Sequence, residues 1–272
     1  MRGVPPEKLP AALTAPKTRA LAICSVLVGV LLAVGIFVPL PFTLTEPGVT
    51  ADTLGSYQGK QVITISGAPV RTTSGQLRAT TISATNPDQK LSLWRSLQAW
   101  ADPNEALLPT DAVYPHSDPV KAQQETQQQM TESQDSATTA ALAYLHLSPD
   151  QVKVTIDLGD IGGPSAGQML ALGIIDKLAG DGKGGDLTGG KVIAGTGTVD
   201  PDGRVGAVGG VPLKTQGAAR DGATVFLLPL GECSEAKVNT PAGLRLVPVE
   251  TLSDAVAALT ALSTGSGEVP HC

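Results

Sequence analysis

Two positions in this 272-residue chain carry residue types that could do chemistry together, Ser165 and Lys214. The stretch from 160 to 167 reads Asp-Ile-Gly-Gly-Pro-Ser-Ala-Gly, and an apolar run from Gln168 to Leu178 follows at once. That pattern puts the Ser165 hydroxyl at or just before the first turn of a buried helix. Lys214 closes the segment Gly-Gly-Val-Pro-Leu-Lys, in which it is the only charged residue. Desolvation among apolar neighbours pushes a lysine toward its neutral form and makes it a candidate general base. A serine hydroxyl is a weak nucleophile at neutral pH and needs such a base. Near a helix N-terminus the backbone amides of Gly163, Ser165 and Ala166 are also placed to hold a developing oxyanion.

Two plainer readings compete with that one. A serine at the start of a helix commonly caps it, and a lysine can lay its stem over apolar surface while its ammonium stays in water. On spacing alone these are the more common outcomes. Other chemistries are poorly supported. His116 lies in a proline-rich loop, His146 at a helix end and His271 next to the last residue, so a Ser-His-Asp triad is not indicated. Lys183, Gly184 and Gly185 lack the Gly-Lys-Ser/Thr ending of a phosphate-binding loop, and no nucleotide signature occurs elsewhere. A net charge of -6 argues against a nucleic-acid partner. No cofactor and no metal is expected.

The elements that must position these residues follow from patterning. Ala20 to Leu40 is uncharged, almost wholly apolar and long enough to cross a bilayer. Arg2, Lys8, Lys17 and Arg19 precede it and Glu46 and Asp52 follow, which puts residues 1–19 in the cytoplasm and the rest outside. An uncleaved anchor fits better than a signal peptide, whose apolar core is shorter and ends in a small-residue cleavage site. Cys24 then lies in the membrane, while Cys233 and Cys272 are on the oxidising side, where a disulfide is permitted but not specified.

Alternation predicts strands at Gln61–Ile65, Gln76–Ser83, Val152–Ile156, Lys191–Val199, Arg204–Val208, Ala223–Leu228 and Leu244–Val249. Helices are predicted over Lys90–Ala101, Pro119–Leu147, Gln168–Leu178, Pro212–Gly222 and Thr251–Leu262. Trp94 and Trp100 are expected to pack in the core, with the lipid interface as the alternative. Residues 263–272 are expected to form a mobile tail. The alternation of strands and helices indicates an α+β (mixed α/β) fold with a mixed sheet, residues 42–150 packed on or belonging to a core at 151–262.

Gly-Gly-Pro-Ser-Ala-Gly at 162–167, Thr-Gly at 196–197 and Gly-Gly-Val-Pro-Leu-Lys at 209–214 resemble, in order and approximate spacing, the proteolytic domain of Lon proteases. The likeness covers Val152 to Leu262, and the layout is similar to bacterial single-pass, ATPase-free Lon-like proteases. The resemblance implies a nucleophile at Ser165, a general base at Lys214 and an orienting threonine at Thr196. It also implies a polypeptide substrate lying extended along a strand edge, and it allows a homo-oligomer, since the family's protease domains often form rings. Two departures stand out. Leu147 runs into Val152 with no room for the PDZ domain of many anchored relatives. The acidic residue often found three positions before the serine is replaced by Gly162, leaving Asp160 or Asp157 as candidates for that role. The expected activity is thus an ATP-independent serine endopeptidase at the outer face of the membrane. The alternatives are a non-catalytic peptide-binding module on the same fold and a protease acting only on itself.

Overall fold

The computed structural model describes residues 16–114, 119–159, 161 and 163–272. It is a mixed α/β protein preceded by one apolar helix. That helix, α1 (Pro16–Phe37), starts four residues before the apolar run, with a proline in its first turn. It is long and apolar enough to cross a membrane, and none of its apolar stretch packs inside the protein.

A six-stranded sheet forms the centre. Its strands are β1 (Phe42–Asp52), β5 (Gln76–Ala84), β6 (Ala106–Pro109), β8 (Val192–Gly195), β11 (Val225–Pro229) and β12 (Arg245–Val249), in the order β12-β11-β8-β5-β1-β6. The first four in that order run parallel, while β1 is antiparallel to both β5 and β6. Residues 42–109 therefore supply half of one sheet and do not form a separate module. Short pairs surround it. Strands β2 (Ser56–Tyr57) and β3 (Lys60–Gln61) form a hairpin, β4 (Ile63–Ser66) pairs with β7 (Lys153–Ile156), and β9 (Thr198–Val199) pairs with β10 (Val205–Gly206).

Side-chain alternation along the parallel strands sends two cores in opposite directions. Ile193, Val225, Leu227 and Val247 join the larger cluster, where α4 (Pro119–Tyr144), α5 (Gly167–Leu178) and α8 (Leu252–Thr264) pack. Ala194, Phe226, Leu228 and Leu246 face the other way, onto α6 (Val211–Arg220) and the short α7 (Cys233–Ala236). Helix α5 is buried from Gly167 to Lys177, which explains why its sequence is apolar all round. Helix α8 begins with a capping box in which Thr251 and Asp254 satisfy each other's backbone amides.

Several expectations differ from the structure. The single strand expected over 191–199 breaks at Thr196–Gly197. Thr196 N still bonds to Leu227 O, but Gly197 N turns to Ser165 O and Gly197 O accepts Gln168 N. The tail expected to be mobile is tied down: Cys272 forms a disulfide with Cys233, and Arg245 Nη2 donates to Val269 O at 3.1 Å. The tryptophans do not enter the core. Helix α2 (Leu93–Ala101) turns Ser96 and Ala99 inward and leaves Trp94 and Trp100 in the open, and the small cluster under it is filled by Leu44, Leu91 and Ala99 with Phe42 and Leu107 against them. The remaining short helix, α3 (Thr110–Val113), follows β6 directly.

Candidate active site

Ser165 sits in a tight turn. A 3-10 turn, Pro164–Ala166, leads straight into α5, and Gly167 N closes it on Pro164 O. Gly163 precedes it with φ 96° and ψ 155°, a backbone conformation that L side chains rarely adopt, so glycine is required there. The two positions that flank the turn as helix caps are Gly163 and Ala166, and neither makes a side-chain cap bond. Ser165 thus lies inside the turn and does not cap the helix. It is half-buried, and its hydroxyl is not among the hydrogen-bonded groups of the described residues. Gly163, Ser165 and Ala166, the candidate oxyanion amides, occupy this same turn, whose first amides lack acceptors one turn back.

Lys214 arrives from the opposite core. Gly210, in a left-handed conformation at φ 71°, starts α6, and Pro212 occupies its first turn as the sequence predicts. Lys214 is 3% exposed, so its ammonium does not reach water. Its Nζ donates instead to Thr196 Oγ1 at 3.0 Å. Burial pulls the Lys214 pKa down to about 8, opposed in part by the charges of Glu232 and Glu235. A substantial neutral fraction therefore exists close to neutral pH.

Thr196 links the two. Its hydroxyl accepts from Lys214 and donates to Ser165 O at 3.2 Å, and the same carbonyl accepts Gly197 N at 2.9 Å. The Thr196 side chain is fully buried at the carboxyl end of β8. A side chain at Gly197 would run into Gln168, so the close approach of this strand end to α5 needs glycine. Lys214 and Ser165 are thereby held two hydrogen bonds apart through the serine's own backbone. Among the described residues, no direct bond joins Ser165 Oγ to Lys214 Nζ.

The other expected participants fall elsewhere or outside the described residues. Asp160 lies outside them, as does His116. Asp157 faces away: it pairs with Lys60 at 3.1 Å at the surface and caps its own loop by accepting Gly159 N. The pairing holds it well below the usual carboxylate range through the Gly159 amide first and Lys60 second. His146 and His271 make no hydrogen bond to Ser165, Thr196 or Lys214 among the described residues.

Two contributors were invisible in the sequence. Ser133 on α4 donates its hydroxyl to Pro164 O at 2.9 Å, pinning the serine turn from the far side. One of two serines in a glutamine-rich helix, it offers no pattern to find. The segment Leu230–Asn239, bound to the C-terminus by the disulfide, brings Glu232 and Glu235 toward Lys214. An open groove of about 390 Å³ is lined in part by Ile82, Thr81, Ile161, Glu46 and Arg220, and Ser165, Thr196 and Lys214 are not part of its lining. Ile161 is four residues before Ser165, and Ile82 packs against Gly210 at the start of the lysine's helix.

Compared with protein-family models the chain matches none, and no curated protein matches it.

Proposed function

We propose that the protein is a membrane-anchored, ATP-independent serine endopeptidase with a Ser165–Lys214 dyad, of the Lon type. The observation that carries this reading is the buried hydrogen-bond chain from Lys214 Nζ through Thr196 Oγ1 to Ser165 O. The two plainer roles are less well supported, since the lysine does not reach solvent and the serine does not cap. The likeness of residues 162–167, 196–197 and 209–214 to Lon proteolytic domains supports the same assignment from an independent direction.

In the reaction, the neutral Lys214 amine takes the Ser165 proton as Oγ bonds to the substrate carbonyl carbon. The carbonyl oxygen becomes an oxyanion held by amides of the Gly163–Ala166 turn. Lys214 then gives its proton to the leaving amine as the C–N bond breaks, leaving an acyl-serine. Water, deprotonated by the same lysine, then attacks the acyl carbon, and the lysine returns the proton to Ser165 Oγ as the C–Oγ bond breaks and the acid leaves. Catalytic hydrogen bonds are often longer before substrate binds, and the step requires Ser165 Oγ and Lys214 Nζ to come within hydrogen-bond reach. With no nucleotide-binding signature in the sequence to power unfolding, the proposed substrates are loose or extended segments. The basic residues up to Arg19 and the acidic ones after α1 support a catalytic part outside the membrane, and the Cys233–Cys272 disulfide suits that oxidising side.

The lack of a direct Ser165–Lys214 bond favours one second reading, a catalytically silent module that binds extended peptides. A fluorophosphonate label on the full-length chain decides between them. The proposed enzyme is labelled as wild type and not as Ser165→Ala, and it cuts an unfolded casein while sparing a stably folded protein. Absence of labelling and of cleavage in wild type assigns the binding role.

A further inference from the structure

The face of α2 that looks away from the sheet is the least expected surface of the protein. Trp94 is 68% exposed, Leu97 49% and Trp100 83%, at spacings that align them on one side of the helix. The inward side carries only Ser96 and Ala99. A helix of a soluble domain buries its large residues and exposes its small ones; α2 does the reverse. The chain has just two tryptophans, and both are here.

The position of α2 names its partner. The helix touches the outer end of α1: Leu93 lies opposite Gly35, and Leu40 N bonds to Leu91 O at 3.0 Å, tying the segment after α1 to the segment before α2. Wherever α1 leaves a bilayer, α2 is held within a few residues of that exit. Tryptophan prefers the headgroup boundary, where its ring is in apolar surroundings and its N–H reaches water or lipid carbonyls. The polar flank is compatible with this placement, because Arg95 is paired with Glu105 at 2.6 Å and brings no free charge to the apolar face.

We propose that α2 lies in the headgroup region of the membrane that α1 crosses, as a second, interfacial contact that fixes the height and tilt of the folded domain. The inference rests on α1 being inserted in a bilayer and is independent of the chemistry at Ser165. An anchor alone leaves the domain free to swing about residues 38–41. A second contact through α2 holds it in one orientation, with the strand pair β1–β6 toward the lipid.

Because both tryptophans are on this face, intrinsic fluorescence reads α2 alone. The full-length chain is reconstituted in phosphatidylethanolamine–phosphatidylglycerol vesicles, with and without lipids brominated near the headgroup, and flotation is followed in parallel. The expected result is blue-shifted emission, strong quenching by the shallow bromines, and acrylamide quenching severalfold weaker than for free N-acetyltryptophanamide. Trp94→Phe and Trp100→Phe each retain this pattern for the remaining ring. Protein that floats but shows water-like emission and no bromine quenching overturns the interfacial contact while leaving α1 in the membrane. Protein that does not float overturns both. A blue shift that follows protein concentration and ignores brominated lipid assigns the face to a second copy of the chain, which also overturns the proposal.

Discussion

The two ends of α5 each hold a buried ionisable group, and they use burial for different purposes. At the N-terminal end, Lys214 is pulled down to about 8 by desolvation. At the C-terminal end, desolvation pushes Asp176 up to about 6, against the Leu187 amide that lowers it. Both are displaced toward the neutral form by the same physics. Their surroundings differ. Asp176 is sealed in: Oδ1 accepts Leu187 N at 2.8 Å, and Arg71 stands 3.8 Å away while it also holds the carbonyls of Gly184 and Gly185. The glycine-rich loop at 181–190 is thus a lid nailed over a structural carboxylate. Lys214 is joined through the Thr196 hydroxyl to the backbone carbonyl of a half-buried serine. A displaced pKa marks a working group only where a reactive partner and an access route come with it.

Removing each group tests that distinction. Replacing Lys214 with methionine keeps the volume and removes the charge. A lysine depressed in the folded state binds fewer protons than the unfolded chain between about pH 8 and 10.5, so the cost of burying it is fully present at pH 7, fades as pH rises through that window and is gone above it. Lys214→Met is expected to stabilise the fold at pH 7 by about 1–3 kcal/mol, after the lost bond to Thr196 is counted. The same change lowers peptide hydrolysis by ~10³-fold or more. Urea unfolding and turnover, measured on one preparation, must move in opposite directions. A variant that is both less stable and only mildly impaired would give Lys214 a structural role.

Asp176→Asn is the matching change at the other end. An aspartate raised in the folded state supports the fold only below its unfolded pKa of 3.8 and loses that support as pH passes about 6. Asparagine therefore gains about 1–2 kcal/mol at pH 7, less than the full shift because Arg71 loses part of its pairing, and the gain disappears below about pH 4. Turnover stays at the wild-type level. Loss of activity here would erase the contrast between the two ends.

How much of each end was legible beforehand follows the same division. The N-terminal end was readable because its demands are local. Gly163 needs a positive φ, Pro212 and Gly210 start a helix, and Ser165 and Lys214 stand out against apolar neighbours. The strands β8, β11 and β12 were readable because buried parallel strands run apolar, and β5 because its apolar and polar residues alternate. What was not readable depends on the approach of distant segments. Nothing in the composition of residues 181–190 says that Arg71, over a hundred positions earlier, holds that loop. The break of the expected strand at Thr196 is caused by α5, which takes Gly197 for its own backbone bonds. The outward tryptophans of α2 obey a partner that the chain itself does not contain, and helical spacing cannot distinguish a face that meets a core from one that meets lipid.

Smaller effects separate the support of the serine turn from its chemistry. Ser133→Ala removes the hydroxyl that holds Pro164 O, a loss of about 1 kcal/mol in stability. Because the turn carries Ser165 and its amides, turnover falls a few-fold while the affinity for substrate changes little, which the split between kcat and KM records. An equal loss in Asp176→Asn would make the effect generic to α5 and not particular to its N-terminal end.

The finest difference between the ends lies in their long-range charges. Glu232 and Glu235 both raise the Lys214 pKa, opposing the desolvation that lowers it. Glu235 is itself raised, by burial first and by Glu232 second, so the two carboxylates form a weakly shared negative patch on the segment beside α6. Replacing both with glutamine removes the opposition and lowers the lysine further. The acid limb of the pH–rate profile then moves to lower pH, by roughly a few tenths of a unit, because the charges act across partly solvated space. The sign is the informative part: general loss of structure would reduce the rate at every pH without moving the limb. Cys272→Ser should shift the limb the same way if the disulfide is what keeps Leu230–Asn239 close to the lysine. An unmoved limb in both variants would mean that burial alone sets the basicity of Lys214, and the N-terminal end of α5 would then differ from the other only in having a serine beside it.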